Sequence, residues 1–211
     1  MSAKLTSSQK TTIWIASIVT AVNWLGWGFL VVNTGGGCPH FPGWKGFDVE
    51  KYKGTWYELQ RDKDIMFEEG DCITAEYGDD GKYVSVKNTQ RVNDKPDVIN
   101  GYAYANTWYP GWVNVVFGGG FGADYRVEAS DFDNYAIVYS CTSFASIKLI
   151  EFVWLLGRNP LVENSADWKA LQKTVDPLFK KLLPEYDRST RFQVTKQGGS
   201  CKYTATEPRR K

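Results

Sequence analysis

The sequence predicts an all-β domain: an eight-stranded antiparallel up-and-down barrel, with one C-terminal helix packed outside it and a single transmembrane helix in front. Three observations lead there. Short segments of alternating apolar and polar residues follow one another at hairpin spacing, and turn residues separate them. A single amphipathic stripe interrupts that pattern late in the chain. Ahead of it all lies an apolar run with no charge in it.

That run comes first. From Thr11 to Trp44 there is no Asp, Glu, Lys or Arg. A helix over its apolar part, Thr11 to Val32, would be roughly 33 Å long, the hydrocarbon thickness of a bilayer. A secretory signal has a shorter apolar region, so a retained anchor is the expectation, with a cleaved signal as the alternative. Lys4 and Lys10 precede the run and the next cation is Lys45, which keeps the N-terminus inside and exports the rest. The expected organisation is a tail and anchor over 1–34, a linker over 35–50, the barrel over 51–203 and a basic tail over 204–211.

Eight strands are expected near Gly54–Asp62, Cys72–Tyr77, Lys82–Val92, Val98–Asn106, Gly111–Phe117, Ala123–Ala129, Tyr135–Thr142 and Ile147–Leu156. Asp79-Asp80-Gly81, Asn93 to Pro96 and the glycine run from Gly118 to Gly122 supply turns between them. Eight local antiparallel strands are the number that closes an up-and-down barrel, and closure leaves no free sheet edge. Trp168, Leu171, Val175, Leu178 and Leu182 then mark the helix, with Ser165 as its N-cap and Pro177 expected to kink or split it. Ser189 to Val194 reads as a ninth strand.

Composition removes several functions. A net charge of +1 gives no electrostatic footprint for nucleic acid. One histidine, His40, leaves no material for His-based catalytic or metal constellations, and the four cysteines contain no C-x-x-C pair. Cys38, Cys72, Cys141 and Cys201 instead suggest two disulfides in an oxidising compartment, by the secretory route or in the mitochondrial intermembrane space. Spacing alone permits three pairings. The Gly118 run lacks the Lys-Ser/Thr of a phosphate loop. No metal, cofactor or enzymatic activity is expected.

Three short motifs carry a resemblance. "GTWYEL" (Gly54 to Leu59), "ASDFDNYAIVYSC" (Ala129 to Cys141) and "FVWLLGRNP" (Phe152 to Pro160) stand in that order. Together they resemble the signatures of the lipocalin family, in the subgroup of apolipoprotein D and the bacterial outer-membrane lipocalins. The membrane span lies outside the resemblance, and Phe132 stands where the family's second motif usually has Tyr. The resemblance implies that Gly54, Trp56, Asp131 and Arg158 close one end of the barrel, Arg158 stacking on Trp56. It implies disulfides Cys38–Cys141 and Cys72–Cys201. It also implies a small hydrophobic ligand, such as a fatty acid, lysolipid, sterol or pigment; the expected membrane contact, residues 11–32, comes from the apolar run alone. A structural accessory subunit, with subunits of a membrane complex as partners, is the alternative.

Strand alternation offers Tyr102, Tyr104, Trp112, Val116, Tyr135, Tyr139, Phe152 and Trp154 as ligand-contacting residues. A slip of one residue would exchange inner and outer sets. Glu58 and Arg126 are read as solvated wall positions.

Overall fold

The structure, a computed structural model, describes residues 37–38, 43–118, 122–144 and 147–203. The chain forms two compact units, one of residues 40–142 and 150–211 and one of residues 1–39 and 143–149. The larger unit contains the barrel core and is described below.

Its strands are β1 (Gly54–Asp62), β2 (Asp71–Asp80), β3 (Tyr83–Val92), β4 (Lys95–Ala105), β5 (Trp112–Phe117), β6 (Ala123–Ser130), β7 (Tyr135–Phe144), β8 (Ile147–Gly157) and β9 (Phe192–Val194). The first eight form an antiparallel meander in which each strand pairs with the next. Closure comes from β1, which pairs with β2 through Gly54–Tyr57 and with β8 through Tyr57–Arg61. The far half of β1 then takes β9 at Gln60–Asp62. One edge of β1 therefore serves β8 and the other is shared between β2 and β9, so no ladder is left open along it.

Helix α1 (Val49–Tyr52) leads into β1 and is capped by Asp48, whose side chain accepts from the amides of Glu50 and Lys51. Helix α2 (Ala166–Leu182) follows the barrel and begins at Ser165, whose hydroxyl accepts from the Trp168 amide. It buries Trp168, Leu171, Val175 and Phe179. Phe179 meets Phe192 of β9 edge-on at 5.4 Å, which seats the helix outside the wall.

The expected break at Pro177 does not occur, and α2 runs unbroken through it. Proline removes the bond to the carbonyl four residues back, here that of Lys173. Both residues are exposed, so the proline lies on the solvent side of the helix rather than against the barrel. The expected ninth strand also begins later: Arg188–Arg191 form a helical turn, α3, and only Phe192–Val194 are extended.

Among the described residues no helix is long and apolar enough to cross a membrane. The candidate span, residues 11–32, lies outside the described residues, as does the tail 204–211. Cys72 is bonded to Cys201, and Cys38 and Cys141 are each disulfide-bonded as well.

Candidate functional site: the barrel interior

One end of the barrel is sealed by stacked aromatic and apolar side chains. Trp56 is fully buried and packs with Phe47, Tyr52, Tyr77, Val86 and Val127 in one core cluster. Its indole N–H donates to the Tyr52 carbonyl at 2.8 Å. The Arg158 guanidinium lies over the ring, 3.8 Å from its centroid. That cation also donates to the carbonyls of Phe132 (2.8 Å), Thr55 (3.1 Å), Lys51 (2.8 Å) and Tyr52 (3.3 Å). It thus ties α1, β1 and the β6–β7 turn to one planar group. Gly54 opens β1 with a φ of +98°, a backbone conformation that L side chains rarely adopt, and the guanidinium packs 3.4 Å from where a Cβ would stand.

Asp131 shapes the β6–β7 turn. Its carboxylate accepts from the amides of Asn134 (2.7 Å), Tyr135 (3.0 Å) and Asp133 (3.2 Å) and from the Asn134 side chain (2.8 Å). Partial burial works to raise its pKa, but these hydrogen bonds outweigh it and hold the carboxyl below the ordinary value. Asp131 touches Arg158 only through the turn, by presenting the Phe132 carbonyl.

Above this plug the interior is divided by three tyrosines. Tyr77 donates to the Tyr125 hydroxyl at 2.9 Å, and the Tyr52 hydroxyl is 2.9 Å from the same oxygen. Burial pushes all three phenols up, so they stay protonated and the bridge persists. On one side lies a cavity of about 330 Å³ against Phe47, Lys53, Tyr83 and Tyr104. On the other lies a cavity of about 280 Å³. Apolar side chains dominate this second wall, among them Ile73, Val86, Val115, Phe117, Phe152, Trp154 and Leu156.

Of the eight residues that alternation offered, Phe152 and Trp154 line this cavity and Tyr104 lines the other. Tyr102, Trp112, Val116, Tyr135 and Tyr139 line neither. Their strands are in the opposite phase. Ala103, Val113, Val115, Ala136 and Val138 belong to the core or pack on it, so Tyr102, Trp112, Val116, Tyr135 and Tyr139 stand on the other face of their strands. Trp112 instead lies under Arg126, 4.6 Å from ring centroid to guanidinium, and the Tyr139 hydroxyl donates to Glu151 at 2.9 Å. Large aromatics on an outer face look like lining residues to a periodicity argument, because period two does not say which face is which.

Glu58 and Arg126 are not solvated. Glu58 is 3 % exposed and lines the cavity; its carboxylate pairs with Arg61 at 2.8 Å and also accepts from Thr195. Arg126 is 7 % exposed and paired with Asp124 at 2.9 Å. Sequence reasoning missed Glu68, which reaches the cavity from the β1–β2 loop and accepts from the Trp154 indole at 2.9 Å. Nothing local marks it, since it stands in an acidic loop that reads as solvated.

A sealed end, a closed wall and an apolar interior now stand beside the three motifs. The family model for a lipocalin-like domain matches residues 47–180, well over half of the chain. This chain is a lipocalin. Bovine (Bos taurus) apolipoprotein D is 39 % identical over 129 residues, covering 59 % of this chain and 68 % of the relative. Among solved structures, lobster apocrustacyanin A1 is similar with a TM-score of 0.60 and 26 % identity, over 73 % of this chain and 82 % of that one. Insecticyanin from the tobacco hornworm Manduca sexta is similar with a TM-score of 0.67 and 25 % identity, over 82 % of this lipocalin and 93 % of that chain.

Proposed function

We propose that this lipocalin carries a small hydrophobic molecule in the cavity of about 280 Å³, as an eight-stranded barrel of this size is able to hold one ligand. The observation that carries the reading is the wall itself: apolar and aromatic side chains surround an internal space, with few polar groups to orient an occupant. The volume lies just below the roughly 300–1,000 Å³ usual for small-molecule sites, which favours an occupant of modest size. Phe152 and Trp154 are the sequence-derived contacts retained in this proposal. The reading is of a carrier: the polar groups that line the cavity are carboxyls, hydroxyls, an amide and the Trp154 indole, a set suited to orienting an occupant.

A scaffold subunit with a barrel filled by its own aromatics is less well supported, because space remains beside Phe117, Phe152 and Trp154. The uncharged run of residues 11–32 supports a tether that holds the barrel near lipid, and the disulfides support an oxidising, extracytosolic location.

Native mass spectrometry of gently purified protein tests the carrier reading. The expected result is a species heavier than the chain by a small apolar molecule, or uptake of the neutral dye N-phenyl-1-naphthylamine by the empty barrel. A barrel that is recovered empty and takes up no dye overturns it.

A further inference from the structure

The polar groups in the cavity carry one sign. Glu58, Glu68 and Asp124 are the ionisable carboxyls on its wall, and among the described lining residues there is no Lys, Arg or His. Asp124 is occupied by Arg126. Glu58 and Glu68 line the same cavity, and the charge on Glu58 acts on Glu68. Around them stand Arg61, which pairs with Glu58, the Thr195 hydroxyl, which donates to Glu58, and the Trp154 indole, which donates to Glu68. Burial, followed by the charge on Glu58, pushes the Glu68 carboxyl well up. Elsewhere on the same wall the Asn88 side-chain oxygen is buried with no hydrogen-bond partner. The cavity therefore offers acceptors and no cation.

We propose that the cavity selects neutral amphiphiles bearing a hydrogen-bond donor, such as a long-chain alcohol, and rejects the free carboxylate of a fatty acid, with the Glu58–Glu68 pair as the determinant. This rests on the carrier reading and narrows its ligand class. A hydroxyl entering the cavity donates a hydrogen bond to Asn88 or to the carboxyls and brings no charge with it. A carboxylate has no cation to meet there, loses its hydration, and faces Glu58 and Glu68, a cost that a buried unpaired anion does not recover.

The test uses the full chain and two probes matched in chain length, dodecanol and laurate, each displacing N-phenyl-1-naphthylamine at about pH 8, where laurate is ionised. The expected result is displacement by dodecanol at a concentration at least about tenfold lower than by laurate. In Glu68→Gln, which keeps an acceptor for Trp154 and removes one carboxyl from the wall, that ratio falls severalfold. Laurate displacing the dye as well as dodecanol does in the unaltered protein overturns the proposal and leaves the carrier reading standing. A ratio unchanged in Glu68→Gln removes the acid pair as its cause and likewise overturns it. If the dye never binds and neither probe protects the protein against thermal unfolding, both the selectivity and the carrier reading fall.

Discussion

Arg158 shows how much one side chain is asked to do at the closed end. A single planar cation covers the Trp56 ring and donates to four carbonyls from three separate segments. Lysine keeps the charge but cannot form that fork, so Arg158→Lys is expected to lower stability by about 2 kcal/mol, read as a shift in urea midpoint. Glu128 makes a different kind of statement. It is 8 % exposed and one of its oxygens has no partner among the described residues. Burial raises its pKa from 4.5 to about 7, against the lowering effect of Arg126. Between those values the folded protein holds a proton that the unfolded chain releases, so stability falls as pH rises through that window. Glu128→Gln should therefore flatten the pH dependence between them and stabilise the protein above neutrality, by on the order of 2 kcal/mol. Urea unfolding at a series of pH values reads both effects, and an unchanged slope would count against the assignment. Neither residue's role was equally legible. Arg158 stands in a motif, whereas Glu128 is one more acidic residue in an alternating strand until its neighbours close over it.

At the scale of elements, the strands were legible because turn residues and alternation are local signals. β1 has the same bounds in sequence and structure, and the other seven differ by a few residues at their ends. The C-terminal elements were less so, since their attachment is not local. Asp62 ends β1 with no exposure at all, accepts from the Tyr186 hydroxyl at 2.7 Å and pairs with Arg191 at 2.7 Å. Arg191 also pairs with Glu151 of β8, so one cation joins α3 to two strands. Arg188 reaches Gln172 on α2 and Gln60 on β1. These contacts, more than β propensity, explain why Arg188–Arg191 coil into a turn. Asp62→Ala leaves the buried Tyr186 phenol without its acceptor and the half-buried Arg191 with Glu151 alone, and is expected to cost about 2 kcal/mol. Hydrogen exchange should then show α2 and α3 loosening before the β-meander does; uniform loosening would contradict that order.

The molecule as a whole is a closed wall with trailing segments bound to it. Cys72 and Cys201 are 129 residues apart in sequence, so their bond restrains nearly the entire barrel in the unfolded state. Chain-entropy reasoning gives such a loop about 5 kcal/mol. Replacing both cysteines by serine should lower the thermal midpoint while leaving the far-ultraviolet circular dichroism of the folded state intact. A lost β signal at low temperature would mean that the bond is needed for folding itself. The interior also belongs to this scale. Tyr52 from α1, Tyr77 from β2 and Tyr125 from β6 meet at one hydroxyl cluster that separates two cavities, an arrangement that exists only once the sheet has closed.

By itself the sequence determined the strand count, the single outer helix and the three motifs whose residues gather at the sealed end. All of these depend on near neighbours along the chain or on an order of motifs. Only the tertiary structure decided which face of each strand looks inward, that Glu58 and Glu68 share a wall, and that Trp112 and Tyr139 do not. The reason is that alternation is symmetric: it separates a strand into two faces, and closure of the barrel, made by contacts between residues far apart in sequence, chooses between them.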